Sequence, residues 1–174
     1  MPAVALAKVE IRPVPQQLDA ARALAIVTES PILEQARQRA AEEGLVYAGG
    51  VTPQQAWTLF AAGQALLVDV RSSEERKFVG HVPGSLHVPW ATGTALNRNP
   101  RFVRELEGKT GKDAVVLLLC RSGKRSALAA EAAARAGLSK VFNILEGFEG
   151  DLDEQQRRGR FNGWRFAGLP WVQD

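Results

Sequence analysis

The chain has a single cysteine, Cys120, which ends the apolar run Ala114 to Leu119 and is followed at once by Arg121, Ser122, Gly123, Lys124, Arg125 and Ser126. A nucleophile, three cations, two hydroxyls and a glycine thus fall in seven consecutive positions. The apolar run reads as a buried strand of a parallel sheet, and the Ala-rich stretch from Ser126 to Ala136 reads as a helix stopped by Gly137. Cys120 therefore falls in a strand-to-helix turn. Such a turn aims backbone N–H groups and the positive end of a helix dipole at one point, which favours the thiolate over the thiol. A lone cysteine can instead be a small buried hydrophobe. The residues after this one are not core, however: burying Arg121, Lys124 and Arg125 together would cost several kcal/mol each, so the loop must reach solvent or an anion. The expected species is a reactive thiolate in an anion-attracting loop.

Length and composition narrow what that thiolate can do. At 174 residues the chain is long enough for one domain with an appendage, without help from metals or disulfides. One cysteine cannot form an internal disulfide, which fits a reducing compartment and excludes a mechanism needing a second, resolving cysteine in the same chain. Sulfur or electrons must leave to another molecule. Lys8, Glu10 and Arg12 interrupt the only apolar stretch near the start, and no later run is long enough to span a bilayer, so a cytoplasmic protein without a membrane partner is expected. A net charge of +3 is far from that of a dedicated nucleic-acid binder. The cluster Arg157, Arg158 and Arg160, beside Phe161 and Trp164, reads as a solvated helix end before a packed aromatic tail rather than as an RNA contact.

The elements that must position the loop alternate along the chain. Residues 17–43 have helical composition broken at Pro31, which predicts two helices, the second capped by Ser30 and ended by Gly44. This N-terminal extension, residues 1–45, is expected to pack on the main domain, residues 46–174, or to form a contact between copies of the chain. Thr52 with Gln55, and Ser72 with Glu75, are capping signatures for helices ending near Gly63 and Gly80. Strands are expected at 65–70, 86–88 and 141–145, a helix starting at Asn99 and Pro100, and a last helix from Glu146 to Arg157. This alternation predicts an α/β fold: a mostly parallel central sheet with helices on both faces and a site beyond the carboxyl ends of the strands, where Asp69 and Cys120 lie. Asp69 is expected to cap the turn after it, Arg71 and Glu75 to pair four residues apart, and His81 to fix its turn by a hydrogen bond. His81, His87 and Cys120 lack metal-ligand spacing, so no metal is expected.

Four segments together resemble the rhodanese family of sulfurtransferases: Asp69-Val70-Arg71 with Glu75; Gly80-His81-Val82-Pro83-Gly84-Ser85 running to Pro89; the loop from Cys120 to Ser126; and Gly163-Trp164-Arg165 with Gly168-Leu169-Pro170-Trp171. The resemblance spans Thr52 to Trp171, with the aromatic that often comes directly after the glutamate appearing only at Phe78. It implies a rhodanese-like fold, no cofactor, and persulfide chemistry. Cys120 takes a sulfane sulfur from thiosulfate or another small anionic donor and passes it to cyanide or a thiol, with Arg121, Ser122, Gly123, Lys124, Arg125 and Ser126 binding the substrate. Asp69 and Arg71 have supporting roles, and a protein sulfur donor or acceptor is compatible with the same chemistry. Two rival readings are an arsenate reductase or phosphatase of the related cysteine-loop fold, and a non-catalytic rhodanese-like binding module. Phosphatase loops place one more residue between cysteine and arginine than the four that separate Cys120 from Arg125, and Ser126 stands where that arginine belongs. Binding modules commonly lack the cysteine. A nucleotide loop ending in Gly123 and Lys124 fails because its first glycine would fall at Leu118, inside the strand.

Overall fold

The structure, a computed structural model, describes residues 30–174. The first of the two expected N-terminal helices lies outside the described residues. The second is α1 (Pro31–Glu43), with Pro31 in its first turn and Gly44 closing it in the left-handed region at φ 69°. Ser30 occupies the N-cap position, but its side chain makes no capping bond. Beyond it come β1 (Gly49–Val51), α2 (Pro53–Ala61), β2 (Leu66–Asp69), α3 (Ser73–Val79) and β3 (Leu86–His87). A short hairpin of β4 (Ala91–Thr92) and β5 (Asn97–Arg98) precedes α4 (Phe102–Thr110), β6 (Val116–Leu119), α5 (Lys124–Arg135) and β7 (Val141–Ile144).

Both capping signatures form complete boxes. Thr52 accepts from the Gln55 N–H while Gln55 accepts from the Thr52 N–H, and Ser72 and Glu75 do the same. The main sheet has the order β1-β7-β6-β2-β3, and every neighbouring pair is parallel. Central β6 is buried along its whole length, as a parallel strand covered on both faces must be. Alternate residues of the strands feed two cores. Leu67, Leu117, Leu119, Phe142 and Ile144 meet Leu33 and Ala36 of α1 and Ala56 and Leu59 of α2. Val68, Val116, Leu118, Cys120 and Val141 meet Phe102 and Leu106 of α4 and Ala129, Ala130 and Ala133 of α5. Helices thus cover both faces, and the described part of the N-terminal extension contributes to the first core. Among the described residues, no helix is long and apolar enough to cross a membrane.

The helix expected from Glu146 to Arg157 does not form. Glu146 and Gly147 turn into the left-handed region at φ 68° and 67°, and the next N–H groups serve the cysteine loop rather than a helix: Phe148 N–H donates to Cys120 O at 2.8 Å, and Glu149 N–H to Arg121 O at 2.9 Å. Helical composition yields there because buried carbonyls of the loop need partners. Strand β1 and the β4–β5 hairpin have no counterpart among the expected elements. Gly49 is required by packing, since a Cβ there would lie 2.4 Å from the Ala36 carbonyl oxygen of α1.

Candidate active site

The register Asp69↔Leu119 sets the ends of β2 and β6 side by side, and Cys120 follows the central strand into the turn that leads to α5. Gly123 makes that turn possible. It sits at the helix N-cap with φ 90°, and a side chain would press against the Glu146 N–H. The helix starts at Lys124, so Ser126 lies inside its first turn with its hydroxyl facing the sulfur rather than at its boundary. Cys120 Sγ receives the Gly123 N–H at 3.1 Å and lies 3.1 Å from the Ser126 hydroxyl. The Gly123 N–H and the Ser126 hydroxyl thus both face the sulfur, at the positive end of a helix of 12 residues. The side chain is 1% exposed, so the sulfur is held at the floor of the loop.

The three loop cations have different fates. Arg121 and Lys124 are exposed. Arg125 is turned away into a two-bond pair with Glu75 of α3, Nη1 to Oε2 at 2.8 Å and Nη2 to Oε1 at 2.6 Å. Burial alone would push the Glu75 carboxyl up, but the Arg125 hydrogen bonds and the Ser72 N–H outweigh it and hold it below its ordinary 4.5. The same pair raises Arg125 against its own desolvation. The expected pair of Glu75 with Arg71 is therefore not formed. Arg71 precedes the helix, and the capping box directs Glu75 back to the Ser72 N–H at 3.0 Å, leaving its oxygens facing α5.

Arg71 instead binds Asp69. The Asp69 carboxylate accepts the Arg71 backbone N–H at 3.0 Å, its Nε at 3.0 Å and Nη2 at 2.7 Å, and Arg76 Nη1 at 3.1 Å. The Arg71 guanidinium is fully buried and stacks on Phe148, its carbon 4.2 Å from the ring centre, while Nη1 has no hydrogen-bond partner among the described residues. Asp69 thus caps the turn after β2 and neutralises a buried cation. By the strand alternation it faces the core opposite to that of Cys120. The turn-fixing histidine is His87, not His81: His87 Nε2 donates to Arg71 O at 2.7 Å, while His81 pairs through its backbone with Val172. Burial pulls His87 below its ordinary 6.5, against the bond to the Arg71 carbonyl, which acts to raise it. Phe78 is 68% exposed and takes no part.

Two supporting residues lie outside the set that sequence reasoning singles out. Asn143 of β7 accepts the Ser126 hydroxyl at 2.6 Å and donates to Gly123 O at 3.1 Å. Gly147 lets its backbone press on the loop, where a Cβ would lie 2.5 Å from Arg121 C and Ser122 N. An asparagine inside the apolar run Val141 to Ile144 is the one visible signal.

A parallel sheet between helices, whose central strand delivers a sulfur to the N-terminus of the next helix, defines an α/β cysteine-loop protein. Residues 52–154 match the Rhodanese-like domain family, and the chain belongs to that family. It is 36% identical over 117 residues to the uncharacterized protein RP600 of Rickettsia prowazekii, an alignment covering 65% of this chain and 87% of that protein. It is 32% identical over 132 residues to thiosulfate sulfurtransferase 16, chloroplastic, of Arabidopsis thaliana, covering 75% of this chain and 97% of that one. The crystal structure of Rv0390 from M. tuberculosis is similar at a TM-score of 0.64 and 43% identity, over 74% of this chain and 99% of that one. Relatives within the family thus include a thiosulfate sulfurtransferase.

Proposed function

We propose that this protein is a single-domain sulfurtransferase that carries sulfane sulfur on Cys120, acting in the cytoplasm without a metal or organic cofactor. The observation that carries this reading is the sulfur itself, seated at the head of α5 with the Gly123 N–H and the Ser126 hydroxyl each 3.1 Å away. In the first half-reaction the Cys120 thiolate attacks the outer sulfur of a thiosulfate-type donor. The new S–S bond forms as the donor's S–S bond breaks, and sulfite leaves with that electron pair. In the second, cyanide or an acceptor thiolate attacks the terminal sulfur, and the pair returns to Cys120 Sγ. Neither step needs an outside oxidant or reductant. Arg121 and Lys124 are both exposed and, among the described residues, form no ion pair, which suits them to draw in an anionic donor, whereas Arg125 serves through its pair with Glu75 to hold α3 against α5. That engagement also weighs against phosphoryl chemistry, which would require a guanidinium turned into the loop.

The test is intact mass of the protein after incubation with thiosulfate, alongside Cys120→Ser, then addition of cyanide and an assay for thiocyanate. A gain of one sulfur atom that requires Cys120 and disappears as thiocyanate appears is the expected result. Folded protein with a titratable thiol that gains no sulfur and yields no thiocyanate would refute thiosulfate as donor and direct the same mass assay to protein persulfides.

A further inference from the structure

Ser126 has one hydroxyl hydrogen and two acceptors in reach of it, Cys120 Sγ at 3.1 Å and Asn143 Oδ1 at 2.6 Å. Only one can be served at a time. The Asn143 amide is fixed, because Nδ2 donates to Gly123 O at 3.1 Å and the flipped amide would set Oδ1 against that carbonyl, acceptor to acceptor. Oδ1 is therefore held toward Ser126. Ser126 is fully buried, Cys120 is 1% exposed and Asn143 3%. Gly123 completes a closed ring: its N–H donates to Sγ while its carbonyl receives Asn143. Asn143 is the polar residue of a buried strand whose other members are Val141, Phe142 and Ile144.

From this ring we infer that Asn143 is a positioning residue: it parks the Ser126 hydroxyl while the Cys120 sulfur is uncharged and yields it to the sulfur when negative charge builds there. The inference rests on Cys120 as a sulfur carrier only in what it says of turnover. In the thiol the hydrogen lies on Asn143, and in the thiolate it turns to Sγ. Once Sγ is joined to a second sulfur it is divalent and uncharged, so the hydroxyl returns to Asn143. When an acceptor attacks the terminal sulfur, the breaking S–S bond delivers its electron pair to Sγ, and the hydroxyl turns back to meet it. A donor that engages mainly as charge develops favours the transition state over the loaded ground state.

The experiment reads the ratio of thiolate to thiol by ultraviolet absorbance, with Cys120→Ser as blank, at the pH where the wild type is half ionised. It compares wild type, Asn143→Leu, Ser126→Ala and the double variant. No charged group is altered in any of the four, neither Arg121, Lys124 and Arg125 of the loop nor Glu75 and Asp69, whose charges act on Arg125. Removing the parking acceptor leaves the hydroxyl on Sγ, so Asn143→Leu raises the ratio about fivefold, one neutral hydrogen bond's worth. Ser126→Ala lowers it, Ser126→Thr restores it, and Asn143→Leu has no further effect once the hydroxyl is gone. A fall in the ratio on Asn143→Leu, or the same change with and without the Ser126 hydroxyl, overturns the inference, since Asn143 would then act through Gly123 or through the neighbouring Tyr47 phenol. Asn143→Ala is read by the same criteria if the leucine does not fold. Because ionisation needs no sulfur donor, failure here is separate from failure of the mass assay.

Discussion

Replacing Glu75 by glutamine tests whether the two helices flanking the cysteine loop are joined by charge. The carboxylate takes two bonds from Arg125 and one from the Ser72 N–H. Glutamine keeps one oxygen for the cap but loses the charge and one acceptor. Exposed ion pairs contribute about 0–1 kcal/mol, and breaking a fully buried one costs about 3–5 kcal/mol. With side chains 16% and 18% exposed and ideal two-bond geometry, this pair falls between those limits, so the expected loss is about 2 kcal/mol. The pH dependence gives a second constraint. The folded Glu75 carboxyl lies below its ordinary 4.5, so its contribution is complete above that unfolded value and is lost as pH falls through the folded one. Urea unfolding of wild type and Glu75→Gln should show a gap of about 2 kcal/mol at neutral pH, as a midpoint shift at unchanged slope, that closes as the pH falls below about 4. A gap under about 0.5 kcal/mol at neutral pH, or one of constant size down to acid, would refute the assignment of that energy to the ion pair.

The same geometry sets three further outcomes. Gly147→Ala must place a Cβ into the Arg121–Ser122 peptide at positive φ, and should lower stability by about 1–3 kcal/mol from backbone strain alone while slowing alkylation of Cys120. Asp69→Ala strands the buried Arg71 guanidinium and should cost about 3–5 kcal/mol in denaturant melts. Where that variant remains folded, sulfur loading on Cys120 should persist, and selective loss of loading would place Asp69 in the chemistry instead. His87, held below its ordinary value by burial, stays neutral in the fold while the unfolded chain takes up a proton. Stability should therefore decline as pH drops from about 6.5 toward the folded value, and His87→Gln should flatten that part of the profile.

How much of this is legible in the sequence depends on how far apart the cooperating atoms lie along the chain. The two capping boxes join residues three apart, so Thr52 with Gln55 and Ser72 with Glu75 can be read directly. Cys120 and its loop are legible for a related reason: a buried run, a glycine and an Ala-rich helix are contiguous. The Glu75–Arg125 pair spans 50 positions, and nothing in either neighbourhood chooses that partner over Arg71. Strand β1, Gly49–Val51, has no strand pattern of its own. It exists because β7 offers an edge and α1 leaves no room for a Cβ at Gly49. The helix expected after Glu146 fails because tertiary demand overrides composition, the open carbonyls of Cys120 and Arg121 taking the N–H groups that a helix would have used.

Helix α3 contains no buried residue. Val79 packs against the first core, and the rest is tied down by Glu75 to Arg125, by Arg76 to Asp69 and Ser85, and by its capping box. An element held by apolar burial opens only when the domain does, whereas one held by charges can detach as a separate unit at lower free energy, with its amide protons exchanging ahead of those of β6. Salt and acid both loosen such ties. Such a detachment would carry Glu75 away and release the Arg125 guanidinium on the first turn of α5. For a sulfurtransferase of the kind proposed, the positive charge met by an anionic donor would then be a population average over a local opening equilibrium, adjustable by ionic strength without any change to the loop itself.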